Sequence, residues 1–334
     1  MRARWPDGRR WPRIAGATVV AVLCAACGQD TGAGEVERDY SDVVHVVTFS
    51  SLEPGWDATT AEFAATDGRG LEVEMGSSGD MVTALAQGKH ADIAYLNDAD
   101  DMAELVKADL VPDDWDNGTT GGYPFSSVVT MVVHPGNPRG IGDWPDLLQP
   151  GLEVVTPNPV RVGSGRWALL AAYAAASHGN LNPQAGHDYL RRLILEHVAL
   201  GPSTTSQATE DFLNGRGDVL LVSEAYALHM VREGLDVEVV TPPETLRTDF
   251  ALAITNDGLE KPGSTELAEF LFSPRGQQLW AEAGIRPSAP VPGVEFPTPQ
   301  RLWTIEDLGG WDAVAPRYFG ANGFITDLFE KATQ

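Results

Sequence analysis

The chain has 334 residues, 43% of them hydrophobic, and a formal net charge of −24 at neutral pH. That length is enough for two lobes with cores of their own. So large an acidic excess argues against nucleic acid, whose phosphates most of the surface would repel, and it requires that any bound anion be held by local dipoles and hydrogen bonds.

Residues 1–26 read as an export signal. Arg2, Arg4, Arg9, Arg10 and Arg13 precede an apolar run over 14–26, too short to span a membrane as a mature helix. The run closes on Leu23-Cys24-Ala25-Ala26-Cys27-Gly28, the small-residue pattern before a cysteine that lipoprotein signal peptidase cleaves. Cys27 is therefore expected to become the lipid-bearing first residue of an extracytoplasmic protein anchored to the cell membrane. Polar, glycine-containing residues 27–41 read as its tether. Removal of the signal takes away five Arg and one Asp, leaving 18 basic against 46 acidic residues. No cysteine follows Cys27, so no internal disulfide and no thiolate metal site is expected.

A β-branched run at 43–49 predicts a buried strand that ends in a turn carrying Ser51 and Glu53-Pro54, with a helix over 58–65. An alternating strand at 71–75 leads into Gly76-Ser77-Ser78-Gly79 and a helix over 80–87, then a strand at 91–96 and a helix over 98–108. This β-α alternation predicts a mostly parallel sheet with helices on its faces. The run 128–134, followed by Pro135-Gly136-Asn137-Pro138, reads as a crossover into a second lobe. The alternation recurs there: a strand at 152–155, the corner Gly163-Ser164-Gly165, helices over 166–178 and 186–195, and a strand at 197–200. Ser203-Thr204-Thr205-Ser206 then opens a helix to 214, and a strand at 218–222 ends at Ser223-Glu224 before a helix over 225–233. After a strand at 237–240, the run 250–254 reads as the return crossover. Helices over 264–273 and 275–283 and a tail rich in Trp, Phe and Gly close the chain. The expected fold is α/β, two lobes joined by two crossover strands, with a ligand in the cleft between them and closure of that cleft as its motion. The expected boundaries are 42–131 plus 251–334 for the first lobe and 132–250 for the second.

Three times a strand ends in Gly, Ser or Thr and a helix begins, at 76–79, 163–165 and 203–206. A helix start carries N–H groups without partners and a partial positive charge, glycine admits an anion close to the backbone, and Ser or Thr adds a hydroxyl donor. In open α/β sheets ligands lie beyond the carboxyl ends of the strands, where such corners converge. The pattern predicts an oxyanion cradle of neutral groups. The same residues also serve as ordinary N-caps at strand–turn–helix joints, and from this pattern alone both readings stand.

Catalysis is not expected. Ser78 and Ser164 do not sit in a G-x-S-x-G elbow, and His45, His90, His134, His178, His187, His197 and His229 contain no H-E-x-x-H pair. No metal or cofactor site is read from the chain.

Val133-His134-Pro135-Gly136-Asn137-Pro138, Val155-Thr156-Pro157-Asn158-Pro159 with Arg166-Trp167, Gly217-Asp218-Val219-Leu220 before Glu224-Ala225, and Leu302-Trp303-Thr304-Ile305 with Gly309-Gly310-Trp311 fall in an ordered series. In these pieces the chain resembles the sulfate/thiosulfate-binding proteins that feed ATP-driven (ABC) importers. The resemblance runs from about residue 43 to the end. It implies a type II periplasmic-binding-protein fold, sulfate or a related oxyanion as ligand, an importer permease and its ATPase as partners, and a monomer. It also implies site residues. Ser78 and Gly79 match the first-lobe serine site, Glu53 beside Pro54 sits where the family has an aspartate, and Ser51 comes from the same turn. Gly163 and Ser164 match two second-lobe backbone donors, with Gly165 a candidate from the same corner, and Thr204 and Thr205 come from the neighbouring loop. The chain departs from the pattern at Val162, in place of a serine hydroxyl, and at Ser223, in place of a tryptophan donor. It also lacks the usual arginine in 203–206, while Arg161 is new. These departures leave another oxyanion, an organosulfonate, or a sensor role open beside sulfate import.

Overall fold

A computed structural model describes residues 43–332, apart from 67, 119, 120, 161 and 200–203. The expected signal peptide, tether and Cys27, together with Arg161 and Ser203, lie outside the described residues. The first lobe starts with β1 (Val44–Phe49), α1 (Glu53–Thr66), β2 (Leu71–Gly76), α2 (Ser78–Ala86), β3 (Ile93–Leu96) and α3 (Ala99–Lys107). The chain crosses over through β4 (Phe125–Val133) and continues as β5 (Val154–Val155), α4 (Gly163–Ser177), α5 (Pro183–Arg192), β6 (Val198–Ala199), α6 (Thr205–Leu213), β7 (Val219–Ser223), α7 (Glu224–Arg232) and β8 (Glu238–Val240). It returns through β9 (Glu244–Asp249) into β10 (Ala251–Ile254), then α8 (Pro262–Phe272), α9 (Pro274–Glu282), β11 (Arg286–Pro287), β12 (Arg301–Trp303), α10 (Trp311–Tyr318) and α11 (Phe324–Ala332).

The first sheet has the order β10-β3-β1-β2. Its β1–β2 and β1–β3 pairs are parallel, with Val46 opposite Val73 and Ile93, and β10 closes it antiparallel to β3. β1 and β3 are almost wholly buried because helices cover both faces, so they read as continuous apolar runs without alternation. Two apolar clusters flank the sheet, one centred on Trp56, Tyr95 and Trp280, the other on Val82, Leu96 and Met102.

The second sheet is ordered β12-β9-β4-β7-β5-β6, with β8 also on β4. β4 does two jobs along its length. Its first half pairs antiparallel with β9, Ser126 opposite Asp249, and its second half pairs with β7 and β8, Val132 opposite Leu220 and Val239. β4 and β9 therefore run side by side as the two crossovers, and β9 passes through Phe250 into the first sheet.

The strand beside β4 is thus Glu244–Asp249, which precedes the apolar run at 250–254 expected to be the return crossover. Charged residues at 244, 247 and 249 hide it in the sequence. It forms because β4 supplies the ladder and because Thr245 Oγ1 donates to the Val129 carbonyl at 2.6 Å.

The tail also departs from expectation. Residues from Trp303 onward were expected in the first lobe, yet Trp303, Ile305, Val314, Tyr318, Ile325 and Phe329 are buried in one cluster with Val129, Trp167, Tyr173 and Leu190. α4 is the reason. Leu169, Leu170 and Tyr173 are wholly buried, and a helix apolar all round needs cover on every face. Each such leucine contributes roughly 1.5–3 kcal/mol relative to exposure, and the returning tail supplies part of that cover.

Candidate functional site

Three helix starts meet in one cavity of about 280 Å³, lined by Ser77 and Ser78 of α2, Gly163 and Ser164 of α4, and Thr204 and Thr205 of α6. The corners read as separate local motifs are thereby brought together, across both lobes. Ser51, in the turn after β1, joins them.

Each corner is built differently. At α2, Ser77 is the N-cap and accepts from Asp80 N–H at 3.2 Å, while Ser78 Oγ, 2% exposed, accepts from Asn97 N–H at 3.0 Å. A serine hydroxyl that accepts from the backbone still has its own hydrogen to give. At α6, Thr204 caps the helix by accepting from Gln207 N–H at 3.1 Å. At α4 the N-cap is Val162, whose side chain gives the first turn no capping hydrogen bond. An absent cap costs a helix about 1 kcal/mol, a cost that an anion resting on the first-turn N–H groups removes. The loss of the expected hydroxyl thus takes away a side-chain donor and leaves the N–H groups of Gly163 and Ser164 as the backbone donors, the Gly165 N–H being returned to the Val162 carbonyl at 3.0 Å. Ser164 Oγ lies 2.9 Å from Thr205 Oγ1, joining the α4 and α6 starts.

The lobes meet at Asn97, the first residue beyond β3. Its N–H donates to Ser78, its carbonyl accepts from Trp167 Nε1 at 3.1 Å, and its side chain lies against Gly163. A Cβ on Gly163 would stand 3.0 Å from Asn97 Cβ, Cγ and Nδ2, so with any larger residue α4 or Asn97 must shift by a few tenths of an ångström for the same approach. Asn97 was not among the candidates. The signal available for it was its position at the carboxyl end of a parallel strand. Tyr226, on α7, is a second missed lining residue.

Several candidates fall outside the lining. Glu53 is exposed at the first residue of α1. Gly79 is within α2, its carbonyl accepting from Thr83 Oγ1 at 2.9 Å. Gly165 faces away, where a Cβ would stand 2.3 Å from the Pro157 carbonyl oxygen. Ser223 caps α7 by accepting from Tyr226 N–H at 3.3 Å and borders a narrow space of about 10 Å³ beneath the cavity.

No Lys, Arg or His lines the cavity among the described residues, and Asp80 adds a carboxylate at its rim. The nearest arginine on α4 is committed elsewhere. Arg166 reaches across the cleft to the start of α3, 3.2 Å from Asp101 Oδ1, 3.3 Å from Asp100 Oδ2 and 3.9 Å from Asp98 Oδ2. Burial, then the charge of Asp101, pushes the Asp98 carboxyl well above the usual carboxylate range, against the pull of Arg166. The ion network ties lobe to lobe and leaves the cavity to dipoles and hydroxyls.

Two α/β lobes on paired strands, with helix starts from each aimed at a space between them, define a two-lobed solute-binding protein. The description "Bacterial extracellular solute-binding protein" matches residues 44–286. The chain is 34% identical to the sulfate-binding protein of Escherichia coli (strain K12), over 77% of this chain and 81% of that one. It is 28% identical to the thiosulfate-binding protein of Pseudomonas aeruginosa, over 79% and 84%. Among solved structures, the sulfate-binding protein SubI from Mycobacterium tuberculosis H37Rv superposes with a TM-score of 0.79 at 43% identity, covering 83% of this chain and 99% of that one. The chain belongs to the sulfate/thiosulfate-binding family of bacterial extracellular solute-binding proteins, with the type II periplasmic-binding fold.

Proposed function

We propose that this protein is an extracytoplasmic solute-binding lipoprotein of an ABC importer, anchored through Cys27, that binds sulfate or thiosulfate between its lobes and delivers it to a permease and its ATPase. The observation that carries this reading is the convergence of three hydroxyl-bearing helix starts on one cavity, without a cation among the described residues of its lining. A dianion there is held by N–H and O–H donors and by the positive ends of helices. A hydrogen bond to a charged acceptor contributes roughly 1.5–3 kcal/mol. Half a dozen of them yield micromolar affinity, about −8 kcal/mol, after the cost of association. The role assigned to each corner residue, Ser51, Ser78, Gly163, Ser164, Thr204 and Thr205, belongs to this proposal.

The reading assigns no catalytic step. Ser78 is bonded to a backbone N–H and Ser164 to a threonine hydroxyl, neither arrangement supplying a base. A larger oxyanion or a sulfonate is the second reading, favoured by the small Ser223 side chain, which turns back onto its own helix. Calorimetry on the mature protein with sulfate, thiosulfate, molybdate, phosphate and a simple sulfonate tests both. Heat with sulfate or thiosulfate supports the first, and heat with the sulfonate alone supports the second. No heat and no thermal shift with any of the five ends the oxyanion reading.

A further inference from the structure

At the carboxyl end of β7 the side chain that reaches the main cavity is Tyr226. Ser223, at the strand end itself, spends a lone pair on Tyr226 N–H and faces the narrow space below. Tyr226 follows one turn later, half-buried, with its side chain against the cavity that also holds Ser164, Thr204 and Thr205.

The proton count of its neighbours fixes what its hydroxyl does. Tyr226 Oη lies 3.2 Å from Thr209 Oγ1, and Thr209 Oγ1 lies 2.9 Å from the Thr205 carbonyl oxygen. A threonine hydroxyl has one hydrogen, and a carbonyl only accepts. The Thr209 hydrogen therefore goes to Thr205, and within the Thr209–Tyr226 pair the phenol is the donor. Without an anion that donation is a neutral bond to a hydroxyl. With a dianion in the cavity, the same hydrogen has a charged acceptor, and a charge-assisted bond is about twice as strong. Thr205 is in turn paired with Ser164 at 2.9 Å. The phenol is thus held by a chain of contacts running from α7 through α6 to α4.

We propose that Tyr226 donates its phenolic hydrogen to the bound oxyanion and sets the preference between sulfate and thiosulfate, supplying from the side of α7 the donor that residue 223 does not. The proposal rests on the oxyanion reading above and adds a ligand contact to it. Its selectivity follows from the acceptor. Sulfate presents an accepting oxygen in every orientation, whereas the terminal sulfur of thiosulfate is a weaker acceptor than oxygen, so the phenol contributes less to thiosulfate when that sulfur faces it.

The test is Tyr226→Phe, which removes one oxygen and keeps the ring. Sulfate affinity is expected to fall about ten- to a hundredfold, the range for a donor to a charged group. Thiosulfate affinity is expected to fall less, so the affinity ratio moves toward thiosulfate. Equal losses for the two anions, or no loss for either, overturn the proposal, because a purely structural hydroxyl weakens both alike. A second measurement uses wild-type protein carrying tyrosine labelled at the ring carbon bearing the hydroxyl. One resonance, identified by its absence in Tyr226→Phe, is expected to shift as sodium sulfate saturates the site, and a resonance that stays in place also overturns the contact. If the wild-type protein binds neither sodium sulfate nor sodium thiosulfate, the oxyanion reading fails and takes this proposal with it. Binding by the wild type with unchanged affinity in Tyr226→Phe removes this proposal alone.

Discussion

Gly163→Ala isolates the contact that closes the site. The new methyl would stand 3.0 Å from three atoms of Asn97, tighter than ordinary van der Waals contact, so either α4 or the Asn97 amide must give by a few tenths of an ångström. Asn97 has little freedom to do so, being 5% exposed and held at both ends of its backbone by Ser78 and Trp167. Overpacking of this kind costs about 1–3 kcal/mol, and it falls only on the arrangement in which the lobes touch. Within its own lobe Gly163 is the first residue of a helix, where alanine is favoured by about 0.4–1 kcal/mol through the unfolded chain. The two effects have opposite signs in different assays. Calorimetry should show affinity for the anion lower by about five- to a hundredfold, from 1–3 kcal/mol, while the melting temperature of the ligand-free protein stays level or rises. If Gly163→Ala binds as tightly as wild type, the approach of α4 to Asn97 is not part of the bound state. If it melts lower without ligand, the strain lies within the second lobe and the argument from cleft closure fails.

Other expectations are independent of that contact. Ser78→Ala removes a donor and also strands the Asn97 N–H that Ser78 accepts; affinity is expected to fall at least tenfold and stability by about 1–3 kcal/mol, measured by calorimetry and denaturant titration. Asp98→Asn keeps a side-chain oxygen for Asp101 N–H while removing a buried carboxyl whose proton affinity burial and Asp101 raise. A raised carboxyl favours the folded state at low pH and loses that contribution as pH climbs above the ordinary carboxylate range. Melting temperature should therefore fall less steeply from pH 5 to pH 8 in Asp98→Asn than in wild type, and equal slopes would refute the assignment. Asp80→Asn removes the carboxylate at the cavity rim. Anion binding is expected to strengthen a few-fold at low ionic strength and to converge on wild type as salt is added, because an exposed charge is screened. A gain that persists in high salt would point to a direct contact instead.

The residue types at the corners were legible because their chemistry is local. Gly, Ser and Thr between a strand and a helix mark a helix start whatever surrounds it, and the acidic composition already required a cradle of neutral groups. The alternation of strands and helices declared two α/β units, since buried parallel strands read as apolar runs. Convergence was beyond the sequence. That α2, α4 and α6 face one cavity follows from strand order and from how β4 and β9 lie together, and no local pattern encodes either. For the same reason Glu53, Gly79 and Gly165 were indistinguishable in sequence from their lining neighbours, differing only in which way the backbone turns. Asn97 and Tyr226 were invisible because an asparagine after a strand and a tyrosine in a helix are ordinary until another element is laid against them. β9 was hidden by its charged residues, and the tail found its lobe through the apolar circumference of α4. Local chemistry determined what kind of donors the chain carries; tertiary packing decided which of them share a cavity, because shared space depends on contacts between elements far apart in the chain.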